Sequence, residues 1–203
     1  MDRAIIRLGA EHRDRAVATL AAAFANDPAM CWMLPDAQDR ARRLPRLMRW
    51  IVDDHLANAI VLGTPGAEAV TLWRPPGLVH VHAPLTPPAI VRFIGILGTA
   101  VLRGEKLDRT IGKHLPGGED WFYLRMAGVH PDCQGRGLGG LAIRAGHAMA
   151  AERGVPAVLE TATESNVGLY MRLGYSVLRE WDVTRKGPHF WTMTNPSPGS
   201  TGA

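Results

Sequence analysis

A run of glycines behind a buried-strand pattern is the feature that most limits how this chain can fold. Positions 128–140 read GVHPDCQGRGLGG. The aromatic and β-branched residues of 121–129 predict a strand, and apolar residues at helical spacing over 138–149 predict a helix. Glycines that end at a helix N-terminus leave backbone N–H groups unpaired, and the positive helix end adds to their attraction for an anion. The sequence therefore predicts a strand–turn–helix unit that binds a phosphate-bearing cofactor.

Two cofactor classes use such a turn. Gly135, Gly137 and Gly140 fit the dinucleotide pattern G-x-G-x-x-G, and Glu160 lies about 20 residues further on, where a ribose-binding acid would stand. In dinucleotide-binding domains, however, the turn follows its strand at once and several βα repeats come after it. Here residues 130–134 intervene and only 63 residues follow Gly140. NAD binding is therefore the less favoured alternative.

A second interpretation accounts for more of the chain. Val129, Pro131 and the run QGRGLG at 134–139 match the acetyl-coenzyme A motif Q/R-x-x-G-x-G/A preceded by V-x-P. A later block, VLETATESNVGLYMRLGY at 158–175, matches the family's next strand and helix in the same order. The chain thus resembles the GNAT (Gcn5-related) N-acetyltransferases. Within that superfamily the likeness extends to the puromycin N-acetyltransferases through segments 19–28, 121–122, 155–161 and 187–194, and it is thin between 84 and 119.

The resemblance implies a fold and a cofactor. The fold would be α+β, a single GNAT domain over 1–194 with a mixed sheet of about seven strands flanked by helices. The sheet would splay between the strands at 121–129 and 155–161, so that pantetheine of acetyl-CoA lies along the first of them. The residues implied in cofactor binding are Ala127, Gly128, Val129, Gln134, Gly135, Arg136, Gly137, Leu138, Gly139, Gly140 and Asn166.

The resemblance also implies catalytic roles. Tyr170 would protonate the departing thiolate, since a phenol with a pKa near 10 stays protonated at neutral pH; the alternative is a buried packing residue. Glu160 would receive the amine proton or serve as a structural hydrogen-bond partner. Asn166 would contact pantetheine or act as a plain helix N-cap. For Gly128, close approach of the ligand and a β-bulge are both compatible with the sequence.

The implied reaction is acetyl transfer to the primary amine of a small molecule, such as an antibiotic or amino-nucleoside, by direct attack in a ternary complex. A peptide N-terminus or an amino acid is an alternative acceptor. A catalytically silent coenzyme A sensor is the alternative, and Tyr170 beside an intact glycine turn favours the enzyme. By segment position, the acceptor pocket is expected to include Asp27, Trp32, Trp73 and Trp191. A pair of histidines, His80 and His82, lacks an obvious third ligand, so no metal is predicted.

Composition sets the remaining expectations. The chain has 203 residues, 46% hydrophobic and 21% charged, which is ordinary for one globular domain. Two cysteines without a CxxC motif suit a reducing compartment, and with no apolar leader visible we expect a cytoplasmic protein. A formal charge of +4 could help to attract coenzyme A but does not imply nucleic acid, and the arginines at 40, 42, 43, 46 and 49 predict a solvated helix face. The longest uncharged apolar run, 93–102, is too short for a membrane span, and a homodimer is compatible with the sequence.

The pattern along the chain gives the order of elements. Strands are predicted at 3–8, 59–62, 67–73, 121–129, 155–161, 175–183 and 189–193, and helices at 14–24, 39–56, 87–103, 138–153 and 166–173. Residues 106–119 are polar and punctuated by glycine, which predicts a loop or short helix over the substrate site. The Pro/Ser/Gly-rich tail, 195–203, is predicted to be disordered.

Overall fold

A seven-stranded mixed sheet lies at the centre of the chain in the computed structural model, which describes residues 3–79 and 86–196. The strands are β1 (Ile6–Arg7), β2 (Ile60–Gly63), β3 (Ala69–Arg74), β4 (Phe122–Val129), β5 (Ala157–Thr161), β6 (Ser176–Asp182) and β7 (His189–Asn195). Their spatial order is β1-β2-β3-β4-β5-β7-β6. Only the β4–β5 pair is parallel among these neighbours, and the others are antiparallel.

Helices cover both faces of this sheet. They are α1 (Arg13–Ala23), α2 (Pro28–Met33), α3 (Ala37–Asn58), α4 (Pro87–Leu97), α5 (Val101–His114), α6 (Leu138–Glu152) and α7 (Glu164–Arg172). Alternation along β2 shows the division, since Val61 packs into the core under α1 and α3 whereas Ile60 and Leu62 pack with α6 and α7. The predicted α+β single-domain fold is thus confirmed.

The sheet opens between β4 and β5. Pairing runs through Phe122–Ala157, Tyr123–Val158 and Leu124–Leu159 and then stops, while β4 continues to Val129. The edge of β4 from Arg125 to Val129 therefore has no strand paired with it on this side, and the space between the two parting strands is called the cleft below. The predicted splay between these two strands is confirmed.

Two segments differ from the sequence-based expectation. The polar stretch from 106 lies largely within α5, a 14-residue helix, because Leu107 and Ile111 are buried one turn apart while Gly104 and Gly112 interrupt the visible pattern. The second is α2, which was not predicted: Asp27 caps its start by accepting hydrogen bonds from the N–H groups of Ala29 and Met30.

The arginines of α3 do more than coat a solvated face. Arg40 donates to the carbonyls of Ala25 and Leu34, at 2.8 and 2.7 Å, and Arg43 donates to that of Ile96 at 2.7 Å. These bonds tie α3 to the α1–α2 connection, the end of α2 and α4. The arginines of α3 therefore stabilise contacts with neighbouring elements as well as facing solvent.

One stretch, 87–114, reaches the length and mean hydropathy of a membrane-crossing helix among the residues that the structure describes. It consists of α4 and α5 joined by a short 3-10 turn, and its second half contributes Leu107 and Ile111 to the core. Length and composition of a single stretch are weak evidence for a span. His80, His82 and positions 197–203 of the tail lie outside the described residues.

Candidate active site

The glycine turn connects the open end of β4 to α6. A 3-10 turn at Pro131–Cys133 follows β4, and α6 begins at Leu138. Gly135 and Gly137 have φ angles of +74° and +77°, in the left-handed region where a side chain would be strained. The sequence needs glycine at these two positions to turn the chain into the helix.

The N-terminus of α6 presents unpaired donors. The backbone hydrogen bonds of α6 begin with the Leu141 N–H, which donates to the Gly137 carbonyl at 3.2 Å. The N–H groups of Leu138, Gly139 and Gly140 therefore precede the helical ladder and can bind an anion. Gln134 Nε2 donates to the Val129 carbonyl at 3.2 Å, which holds the turn against the end of the strand. Arg136 adds a guanidinium at the rim and donates to the Asp132 carbonyl at 3.1 Å.

Two glycines near the turn are explained by packing between elements. A Cβ at Gly128 would lie 2.9 Å from Leu20 Cδ2 and 3.0 Å from Ala23 Cβ. The missing side chain of Gly128 thus gives α1 the room to pack closely on β4. A Cβ at Gly139 would lie 3.1 Å from Val129 Cγ2, so this glycine lets α6 pack closely on the strand end.

Glu160, near the end of β5, has one oxygen that is hydrogen-bonded and one that is buried without a partner. Tyr123 Oη donates to Glu160 Oε1 at 2.6 Å, whereas the buried Oε2 has no hydrogen-bond partner among the described residues. The side chain is only 6% exposed. Burial raises the pKa of Glu160 to about 7, against the opposing charge of Arg125 and the Tyr123 hydrogen bond. A carboxyl group that titrates near neutral pH is suited to accept a proton.

Tyr123, Arg125 and Asp108 surround this carboxylate and were not singled out in the sequence. Arg125 Nη1 donates to Tyr123 Oη at 3.1 Å, and its Nη2 pairs with Asp108 Oδ1 of α5 at 2.9 Å. Tyr123 and Arg125 are polar residues two apart in an otherwise apolar strand, so the period-2 pattern was the available signal that they share a face. The contribution of Asp108 depends on the tertiary position of α5.

Tyr170 lies on α7 and is 7% exposed. Its ring meets that of Tyr175 edge-on, with centroids 5.7 Å apart. Burial raises the pKa of Tyr170 further above its ordinary value, and the nearby negative charges of Glu160 and Asp27 add to the effect. The phenol is therefore protonated at neutral pH and available as a donor.

Asn166 and Asp27 lie at the starts of two helices, Asn166 in the first turn of α7 and Asp27 at the N-cap of α2. The N-cap of α7 is Thr163, so the alternative that Asn166 caps the helix is wrong. Asn166 lies in the first turn, and among the described residues its side chain makes no hydrogen bond. Thr163 Oγ1 lies 3.4 Å from Asp27 Oδ2, linking α7 to the start of α2. Burial raises the pKa of Asp27.

The tryptophans expected in an acceptor pocket divide into two groups. Trp73 is fully buried, its indole N–H donates to Thr71 Oγ1 at 3.0 Å, and it packs against Gly146 of α6; it is a core residue, so its assignment to the pocket was wrong. Trp32 and Trp191 are partly buried on α2 and β7. The described residues contain no group of three or more metal-ligating side chains.

Comparison with known proteins identifies the family. Residues 67–175, about half of the chain, match the model of the acetyltransferase (GNAT) family. The chain belongs to the GNAT family. The match covers β3, β4, the glycine turn, α6, β5 and α7, and so includes both strands that border the cleft. GNAT proteins generally use acetyl-CoA as co-substrate, and this favours coenzyme A over NAD at the turn.

Solved structures share the fold across nearly the whole chain. A structure of histone acetyltransferase HPA2 and related acetyltransferase from Corynebacterium glutamicum has a TM-score of 0.73 at 22% identity and covers 98% of both chains. Arylalkylamine N-acetyltransferase 2 from Aedes aegypti has a TM-score of 0.65 at 12% identity, covering 96% of this chain and 99% of its own. A putative GNAT acetyltransferase from Desulfovibrio desulfuricans has a TM-score of 0.55 at 13% identity, covering 94% and 96%. At these identities the likeness establishes the fold.

Proposed function

We propose that this GNAT protein transfers an acetyl group from acetyl-CoA to the primary amine of a small molecule, by direct attack in a ternary complex. The observation that carries the proposal is the pair of groups beside the open strand edge. Glu160 has an unpartnered, buried oxygen, and Tyr170 is a protonated phenol within electrostatic range of it. A base for the incoming amine and an acid for the outgoing thiolate are the two proton-transfer groups that this reaction uses.

The cofactor would follow the groups described for the turn and the strand. Its pyrophosphate fits the unpaired N–H groups at the start of α6, with the Arg136 guanidinium adding positive charge. Its pantetheine arm fits the free edge of β4 at Ala127, Gly128 and Val129, with the Asn166 amide available from α7. Backbone N–H groups of this edge would also polarise the thioester carbonyl.

Glu160 and Tyr170 carry out the proton transfers of the reaction. Glu160 Oε2 takes a proton from the acceptor ammonium, and the neutral amine nitrogen attacks the acetyl carbonyl carbon. When the tetrahedral intermediate collapses, the C–S bond breaks, Tyr170 donates its proton to the coenzyme A sulfur, and the nitrogen of the new amide releases its surplus proton to solvent. The proton held by Glu160 can then return to Tyr170 through solvent, which restores both groups.

The acceptor is proposed to be a small cationic amine. Glu160 and Asp27 place two carboxyl groups at the cleft, and the partly buried Trp32 offers an apolar wall near them. The likeness to puromycin N-acetyltransferases makes an amino-nucleoside a first choice, and the shared fold with an arylalkylamine N-acetyltransferase adds that class to the candidates.

A thiol-release assay over a panel of amines tests the proposal. The panel contains aminonucleosides, arylalkylamines, aminoglycosides, amino acids and a histone-tail peptide, each with acetyl-CoA. We expect amine-dependent release of free coenzyme A with at least one small amine, and mass spectrometry should find the acetylated product. Acetyl-CoA binding without turnover of any panel member would instead support the silent sensor.

A further inference from the structure

We infer that Asp108, Arg125 and Tyr123 form a positioning chain that holds one oxygen of Glu160 in a hydrogen bond and leaves the other without a partner for the acceptor amine. The inference rests on the proposed function, in which Glu160 takes the amine proton. It concerns residues of α5 and β4 that make no contact with the reacting atoms. They act through Glu160 and are positioning residues.

The hydrogen bonds of the chain run in one direction. Asp108 Oδ1 accepts from Arg125 Nη2 at 2.9 Å, Arg125 Nη1 donates to Tyr123 Oη at 3.1 Å, and Tyr123 Oη donates to Glu160 Oε1 at 2.6 Å. Arg125 Nη1 lies 3.8 Å from that same Oε1. Tyrosine has a single hydroxyl proton, and the donated Arg125 bond commits this proton to Glu160. These bonds hold the Glu160 carboxylate in one rotamer, in which Oε2 has no hydrogen-bond partner among the described residues.

Four groups interact electrostatically with Glu160. They are Tyr123 and Arg125 from β4, Asp108 from α5 and Tyr170 from α7. Of these, Arg125 is the only cation. Asp108 is more than half exposed on α5, yet its ion pair determines where the Arg125 guanidinium stands. The chain therefore makes α5, from the segment least like the puromycin enzymes, part of the control of Glu160.

Removing one charge from this chain shifts the pKa of Glu160, and the direction of the shift depends on which charge is removed. Arg125→Gln removes the cation that favours the ionised carboxyl group, so the pKa of Glu160 rises. Asp108→Asn removes an anion that disfavours ionisation and also releases Arg125 toward Glu160, so the pKa falls. Damage to the fold alone would not move two variants in opposite directions.

The experiment is the pH dependence of kcat for one amine, saturating in both substrates, in wild type and variants. The acidic limb of the wild type should have its midpoint near the Glu160 pKa of about 7. We expect Arg125→Gln to move this midpoint up by roughly one pH unit and Asp108→Asn to move it down by roughly half a unit. The double variant should lie close to Arg125→Gln alone, because Asp108 acts largely through Arg125.

A matched control lies on the same helix. Glu105→Gln makes the same acid-to-amide change on α5 at an exposed residue that pairs with Arg109, away from the chain. Its acidic limb should coincide with that of the wild type. Tyr123→Phe should lower kcat roughly tenfold while the Kd for acetyl-CoA stays within twofold, since only the orientation of Glu160 is lost.

The outcomes separate this inference from the proposed function. If Glu160→Gln abolishes turnover but Arg125→Gln and Asp108→Asn leave the limb in place, or move it the same way, the positioning chain is wrong and the proposed base remains. If Glu160→Gln keeps the wild-type rate, the assignment of Glu160 itself is wrong. Exposed Asp108 tolerates substitution best, so its variant provides the test even if a buried variant fails to fold.

Discussion

Burial raises the pKa of both Tyr170 and Glu160, and this suits the two side chains to opposite roles in proton transfer. The pKa of Tyr170 is raised, so the phenol keeps its proton, and the pKa of Glu160 is raised to about 7, so the carboxyl group exchanges its proton near neutral pH. One is thus ready to donate and the other to accept. Both assignments make predictions for single substitutions.

Tyr170→Phe removes only the hydroxyl group and keeps the ring that packs on Tyr175. We expect kcat to fall by about 10²-fold or more, as for loss of a general acid, with little change in the Kd for acetyl-CoA. Steady-state kinetics and calorimetry measure the two quantities. Tyr175→Phe removes a buried hydroxyl from the neighbouring ring and serves as the control. Equal rates for Tyr170→Phe and the wild type would exclude Tyr170 as the acid.

Glu160→Gln should lower the activity and, at alkaline pH, raise the free energy of unfolding. The folded-state pKa of Glu160, about 7, lies above its ordinary value of 4.5, so ionisation is easier in the unfolded chain. Its contribution to stability is therefore complete below about pH 4.5 and is lost as the pH rises through 7. At pH 8 the uncharged amide should raise the free energy of unfolding by up to about 3 kcal/mol.

Melting curves at pH 8 and at pH 5 check this sign. The Tm of Glu160→Gln should exceed that of the wild type at pH 8, and the gain should shrink toward pH 5 as the wild-type carboxyl group becomes protonated. A gain of the same size at both pH values would mean that the carboxyl group is not strained by burial.

Among the elements, α6 is fixed by how closely it approaches the sheet. A Cβ on Gly146 would lie 2.1 Å from Cε2 of the fully buried Trp73 indole. Gly146→Ala should therefore lower the free energy of unfolding by roughly 1–3 kcal/mol, despite the better helix propensity of alanine. Gly112→Ala on α5 is the control, because nothing lies within 4 Å of that position, and it should stabilise by roughly 0.5–1 kcal/mol. Urea unfolding of both variants would show opposite shifts of the midpoint, and a neutral Gly146→Ala would contradict the close contact.

Local signals in the sequence predicted the elements that position the cofactor. The glycine turn and the strand before it follow from residues within about 20 positions of one another, where periodicity and turn chemistry decide the structure. The splay was expected only from the resemblance to the GNAT family. The extent of α5 was missed because Gly104 and Gly112 interrupt a helix that tertiary burial of Leu107 and Ile111 stabilises. Helix propensity is a weak guide where packing overrides it.

Contacts between distant segments could not be read from the sequence. Asp108, Tyr123 and Glu160 come together only after α5, β4 and β5 have packed, so their chain of hydrogen bonds has no local signature. The same holds for Trp73, whose place in the core depends on Gly146, and for Gly128, whose missing side chain makes room for α1. Tyr170 and Glu160 were singled out because they lie in the block that resembles the GNAT family, whereas the residues that contact Glu160 lie in no such motif.

For the whole molecule, ligand binding should appear as stability, because a ligand that binds only the folded chain stabilises it by mass action. At a concentration 100-fold above its Kd, acetyl-CoA should add about 2.7 kcal/mol. For a chain of this size that corresponds to a rise in Tm of roughly 5–10 °C. NAD at the same concentration should give no rise, and a larger shift with NAD than with acetyl-CoA would contradict the assignment of the turn.

A pair of matched glycine variants connects this global shift to the turn. Gly137 and Gly118 both have a φ of +77°, so alanine strains the backbone at either position by a similar amount, on the order of 1 kcal/mol. Only Gly137 lies where the unpaired N–H groups of α6 meet the proposed pyrophosphate. Both variants should melt earlier without ligand, but Gly118→Ala should keep the full rise in Tm with acetyl-CoA, whereas Gly137→Ala should lose most of it. If the two variants respond equally to acetyl-CoA, the cofactor binds elsewhere, because strain at the same positive φ does not distinguish the two positions.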